Sequence, residues 1–67
     1  MFIRIKESRI KISSIGEFEV KGHAMSTGWW YVDIKISGKI RKFAFDTEAE
    51  LNQVVAYLDN ILKVQVI

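Results

Sequence analysis

The chain contains no cysteine and no proline, and it has one histidine, His23, in 67 residues. Without cysteine there is no disulfide and no thiolate zinc site, so neither staple supports the fold. One histidine and scattered carboxylates do not make a structural metal site. Without proline there is no stiff extended linker. Long apolar runs are missing as well. The N-terminus alternates apolar and charged residues (Phe2, Ile3, Arg4, Ile5, Lys6), unlike a secretory leader. No stretch approaches the ~20 apolar residues that span a bilayer. A soluble, intracellular (cytoplasmic) protein is expected. The four glycines, Gly16, Gly22, Gly28 and Gly38, are isolated and each lies near a turn, so no phosphate-cradling loop is present.

Sixty-seven residues make a single domain, 1–67. A chain this short buries about 60% of its unfolded surface, and such a core rarely supplies more than ~3–5 kcal/mol. At 49% hydrophobic it has more apolar side chains than so small a domain hides, which points to a homodimer or higher oligomer.

Charge is divided unevenly. Up to Phe45 nine Lys and Arg stand against four acids (Glu7, Glu17, Glu19, Asp33), a balance of +5. From Asp46 onward Lys63 stands against Asp46, Glu48, Glu50 and Asp59, a balance of −3. Acids at a helix start account for most of the second figure. The basic excess of the first half points to an anionic partner.

The first half reads with the two-residue period of strands. Ile3 and Ile5 alternate with Arg4 and Lys6, Ile10 and Ile12 with Arg9 and Lys11, and Phe18 and Val20 with Glu17, Glu19 and Lys21. Turns are expected at Glu7-Ser8 and Ser13 to Gly16, and a loop at Ser26-Thr27-Gly28. Trp29 to Ser37 is the strongest strand, with Trp30, Val32, Ile34 and Ile36 on one face. A two-residue loop at Ser37-Gly38 returns the chain as Ile40 to Phe45. That loop pairs Val32 with Phe43 and Asp33 with Lys42. The alternative loop, Gly38-Lys39, sets Lys35 against Lys42, and opposed like charges are unfavourable.

After Phe45 the period becomes 3.6. Leu51, Val54, Val55, Leu58, Ile61 and Leu62 form the stripe of an amphipathic helix over about 47–62. Thr47 with Glu50 fits a capping box. Val64 to Ile67 reads as a short final strand paired with another subunit. The expected fold is α+β: four to five antiparallel strands in one sheet, over about 2–45, and one C-terminal helix packed on one face.

No catalytic constellation is evident. His23 has no partner at a diagnostic spacing, and Asp33 reads as the cross-strand partner of Lys42. No enzyme activity, metal or cofactor is expected. With the helix on one sheet face, the other carries Trp29, Tyr31, Lys35 and Lys42, with Arg9 and Lys11 as neighbours. Rings interleaved with cations suit single-stranded nucleic acid: bases stack on the rings and cations follow the phosphates. The same rings equally suit a protein interface. The oligomer interface is expected at Leu51, Val55, Leu58, Leu62, Val64 and Val66.

Strands followed by a capped helix, opening directly from the last strand in Phe43-Ala44-Phe45-Asp46-Thr47-Glu48, together with the texture of Trp30 to Lys35, resemble a known family. This is the transcriptional-coactivator (positive cofactor four) type of single-stranded-DNA-binding protein, and the likeness covers about residues 17–62. It is one of layout and carries no diagnostic motif. The resemblance implies subunits that dimerise through their helices and present basic sheets to DNA. Two readings of function follow. One is a homodimeric module for single-stranded DNA or RNA. The other is a small protein-binding regulator or inhibitor, of the kind a phage or mobile element encodes, with no nucleic-acid binding. A purely structural subunit joined through edge strands such as Met1 to Lys6 is a third possibility.

Overall fold

The computed structural model describes residues 1–67. Five strands precede one helix: β1 (Phe2–Ile5), β2 (Ser8–Lys11), β3 (Ile15–Ala24), β4 (Trp29–Ile36), β5 (Lys39–Phe45) and α1 (Glu48–Ile61). A 3₁₀ turn, Ile12–Ser14, separates β2 from β3. No helix is long and apolar enough to cross a membrane.

The α+β class and the five strands match the sequence reading. The single sheet does not. β1 and β2 form a two-stranded ribbon, and β3, β4 and β5 form a separate antiparallel meander in that order. The 3₁₀ turn makes the division: it reverses the chain after Lys11, so β2 never aligns with β3. Two backbone bonds hold it there, Ile12 N–H to Met1 O at 3.0 Å and Ser37 N–H to the Ser14 carbonyl at 2.9 Å.

Folding the ribbon over the meander satisfies both. Ile3, Ile5 and Ile10 line one face of the ribbon and are buried. They meet Val32, Ile34, Phe43 and Phe45 from the meander and Leu51 and Leu58 from α1 in one cluster. Ribbon and helix therefore share the inner face of the three-stranded sheet. All nine buried residues are apolar.

The β4–β5 hairpin has the preferred register, with Val32 opposite Phe43 and Asp33 opposite Lys42. Its turn places Ser37 at φ 52° and Gly38 at φ 83°. Positive φ at both central residues matches the right-handed twist of the strands. β3 runs further than its alternation suggests. A bulge between Val20 and Gly22 lets it continue to Ala24 beside Trp29.

Helix α1 begins as expected, with the Thr47 hydroxyl accepting from Glu50 N–H at 3.2 Å. It ends in a pair of bonds, Val64 N–H to Asp59 O and Lys63 N–H to Asn60 O, with Lys63 at φ 54°. This is a Schellman motif with lysine where glycine is usual. The expected final strand is not formed: Val64 to Ile67 pairs with nothing, and Val66 and Ile67 are fully exposed. Val64 N–H is taken up by the helix cap, and Gln65 to Ile67, with no sheet edge beside them, leave their backbone groups to water.

Candidate nucleic-acid interface

The sequence places six contact residues on one surface. The structure divides them between two. Tyr31, Lys35 and Lys42 lie on the outer face of the meander, with Trp29 at its end. Arg9 and Lys11 lie on the outer face of the ribbon, which belongs to the other layer.

The meander's outer face is not basic. Glu17, Glu19 and Asp33 interleave there with Lys21, Lys35 and Lys42, three acids against three cations. Lys21 Nζ lies 2.6 Å from Glu19, and Lys35 Nζ lies 4.0 Å from Glu17. The hydrogen bond that the Lys21 ammonium donates to the Glu19 carboxylate, reinforced by that group's charge, raises Lys21 above its ordinary value of 10.5. Lys42 is opposite Asp33 in register, but its ammonium sits over the Tyr31 ring, 5.4 Å from the centroid. Asp33 is left with one carboxylate oxygen, Oδ1, buried and without a hydrogen-bond partner. The expected Asp33–Lys42 pair is thus a register match without an ion pair.

Nor are the rings free. The Tyr31 hydroxyl hydrogen-bonds with the Thr27 hydroxyl at 3.1 Å, and Lys42 covers the ring face. Trp29 has Lys6 Nζ at 5.7 Å from its centroid, and the same ammonium lies 5.2 Å from the Phe45 ring. Cations at these distances are held by the ring quadrupole. Trp30, on the inner side, stacks on His23 at 4.6 Å.

The ribbon is different. With Ile3, Ile5 and Ile10 turned inward, its outer face holds two cross-strand pairs: Phe2 opposite Lys11, and Arg4 opposite Arg9. All four are exposed. From Arg4 to Lys11 the chain has four cations (Arg4, Lys6, Arg9, Lys11) and one acid, Glu7. No carboxylate lies within ion-pair distance of any of them. Arg9 Nη1 donates instead to the Glu7 backbone carbonyl at 3.1 Å. Lys6 holds φ 55° at the first position of the Lys6-Glu7 turn, a place where glycine is usual. Arg4 also borders a groove of about 290 Å³ formed with Gln53, Val54 and Tyr57 of α1, whose lining contains no acid.

Arg4 and Lys6 were absent from the expected contact set. The signal was present: Arg4 alternates with Ile3 and Ile5 as Arg9 and Lys11 alternate with Ile10, so all three cations share a face once the two segments pair.

The expected oligomer residues also separate. Leu51 and Leu58 are consumed by the core of the monomer, at 2% and 0% exposure, and offer nothing to a partner. Val55 and Leu62 are half-buried against that core. Val64 and Val66 are exposed. No protein-family model matches the chain, and neither the characterised proteins nor the solved structures searched include one similar to it.

Proposed function

We propose that the chain is a nucleic-acid-binding module whose contact surface is the outer face of the β1–β2 ribbon. One observation carries the reading: Arg4 and Arg9 stand directly opposite each other with no carboxylate to offset them. Opposed like charges weaken a strand pair. A polyanion laid across the ribbon removes that repulsion and gains a phosphate contact from Lys11 as well. The charge-balanced meander face does not offer this, so the contact set becomes Arg4, Arg9 and Lys11.

Fluorescence titration with a labelled oligonucleotide tests the proposal. Affinity should fall steeply with salt, with a log–log slope of about −0.7 per neutralised phosphate on a single strand and about −0.9 on a duplex. The double variant R4A/R9A should flatten that slope by roughly one to two units, whereas K35A/K42A should leave it unchanged. Absence of binding at micromolar protein in about 50 mM salt overturns the reading, because phosphate contacts are strongest there.

A protein partner is favoured by a different observation, the exposed apolar tail at Val64, Val66 and Ile67. Loss of self-association or pull-down on removing Gln65 to Ile67, with oligonucleotide binding absent throughout, would select that reading instead.

A further inference from the structure

We infer that the ribbon is shaped for the major groove of B-form duplex DNA and reads guanine there through Arg4 and Arg9. The inference rests on the nucleic-acid reading above and adds the form of the partner and the groove entered.

Width comes first. The ribbon has two strands and no third, and neighbouring strands lie about 4.8 Å apart. A two-stranded ribbon fits a major groove about 12 Å wide in undistorted DNA, whereas a minor groove about 6 Å wide must be forced open to take one. The deep, narrow major groove of A-form RNA excludes it.

The outer face then offers the right chemistry in the right order. Arg4 and Arg9 are directly opposed, so their Cβ atoms are about 5 Å apart, and Arg9 exchanges its bond to the Glu7 carbonyl for a base acceptor on docking. Each guanidinium fork matches the O6 and N7 acceptors of guanine, the commonest specific contact in that groove. Phe2, 63% exposed and opposite Lys11, is an apolar group of the kind that meets a thymine methyl. Lys11 beside it suits a flanking phosphate. Along the β1 side, Gln53 and Tyr57 present neutral groups to the backbone, as positioning contacts do.

A single strand is less well served. It needs open rings for bases to stack on. The ring of Tyr31 is covered by Lys42, Trp29 is approached by Lys6, and the ribbon face itself has one ring, Phe2.

Anisotropy titrations with three probes of one guanine-containing sequence decide the matter: the DNA duplex, its single strand, and the RNA duplex. The DNA duplex should bind at least about tenfold tighter than either alternative. Replacing every guanine by 7-deazaguanine removes the N7 acceptor and should weaken wild-type binding by roughly tenfold. The variant R4K/R9K keeps the charge but loses the forks. It should distinguish the normal from the 7-deaza duplex less sharply than wild type does and retain the wild-type salt slope. Equal affinity for the single strand or the RNA duplex, or indifference to 7-deazaguanine, overturns the groove assignment and leaves the nucleic-acid reading in place. Failure of all three probes to bind overturns the nucleic-acid reading itself. Both substituted positions are exposed, so unchanged melting temperatures separate lost contacts from lost folding.

Discussion

Arg41 of β5 donates from Nη2 to the Ser8 hydroxyl of β2 at 2.8 Å, the one side-chain hydrogen bond that ties the ribbon to the meander. The same guanidinium lies over the Phe43 ring, 5.1 Å from its centroid. Arg41 is exposed, so each contact is worth little alone, about 0.5–1 kcal/mol. Ser8→Ala should lower stability by about 0.5 kcal/mol and Arg41→Ala by about 1–2 kcal/mol, the larger value reflecting lost packing of the side-chain stem. Urea unfolding of both single variants and the double variant checks this. A coupling below about 0.3 kcal/mol would mean that the hydrogen bond contributes nothing in solution.

Leu58→Ala separates two roles that one apolar helix position can play. A residue on a subunit interface should, when truncated, give an oligomer that dissociates more readily into folded monomers. Leu58 has 0% exposure within one chain, in the cluster that joins ribbon, meander and helix. Truncation of such a leucine costs about 2–5 kcal/mol, and a domain of this size has about 3–5 kcal/mol to lose. The variant should therefore lose cooperative thermal unfolding by circular dichroism, at any protein concentration. A folded variant whose melting temperature rises with concentration would place Leu58 at an interface instead.

The difference between those two roles marks what the sequence could and could not disclose. The helix stripe, its Thr47 cap and the Ser37-Gly38 turn are local: each is decided by residues within a few positions of one another. The register followed from the turn, and with it Val32 against Phe43. The partition into two sheets is not local. Ile10 alternates with its neighbours in the same way whether β2 lies beside β3 or folds over it, because the period reports which side is buried and not what buries it. The choice is made at the Ile12–Ser14 turn: Ser13-Ser14 announces a turn there, but nothing in its residues says in which direction it sends the chain. That choice also moved the basic residues: Arg9 and Lys11 left the company of Tyr31 and Lys35 and joined Arg4. The acids Glu17 and Glu19 were visible in the sequence, but only the pairing of β3 with β4 set them beside Lys35 and Asp33.

Lys63 occupies the left-handed position of the helix C-cap, at φ 54°. A side chain there costs roughly 1–2 kcal/mol relative to the right-handed region, and glycine avoids that steric cost while losing more backbone freedom on folding. Lys63→Gly should be stabilising by about 0.5–1 kcal/mol, a rise in melting temperature of roughly 2–8 °C for a domain of this size. Lys63→Val should lower it, since a β-branched residue tolerates positive φ worst. Differential scanning calorimetry of the pair checks both signs. If neither variant moves the transition, the last turn frays in solution and the cap is not formed there.

The Lys21–Glu19 contact gives stability a dependence on pH at the alkaline end. Glu19 holds the Lys21 ammonium by a hydrogen bond and by charge, so the lysine's pKa in the folded protein lies above its ordinary 10.5. A raised pKa means that the folded state keeps its proton where the unfolded chain has released it. The contribution is complete below the unfolded value and disappears as pH rises through the folded one. Lys21 is exposed to solvent, so the effect is small and sensitive to salt. The comparison is with Glu19→Gln, which removes this partner alone. Melting temperatures measured from pH 8 to 12 should show wild type above the variant at the lower end and convergence at the upper end. Half-molar salt should shrink the gap at pH 8. A gap that stays constant across the range would mean that Glu19 stabilises β3 by something other than its charge on Lys21.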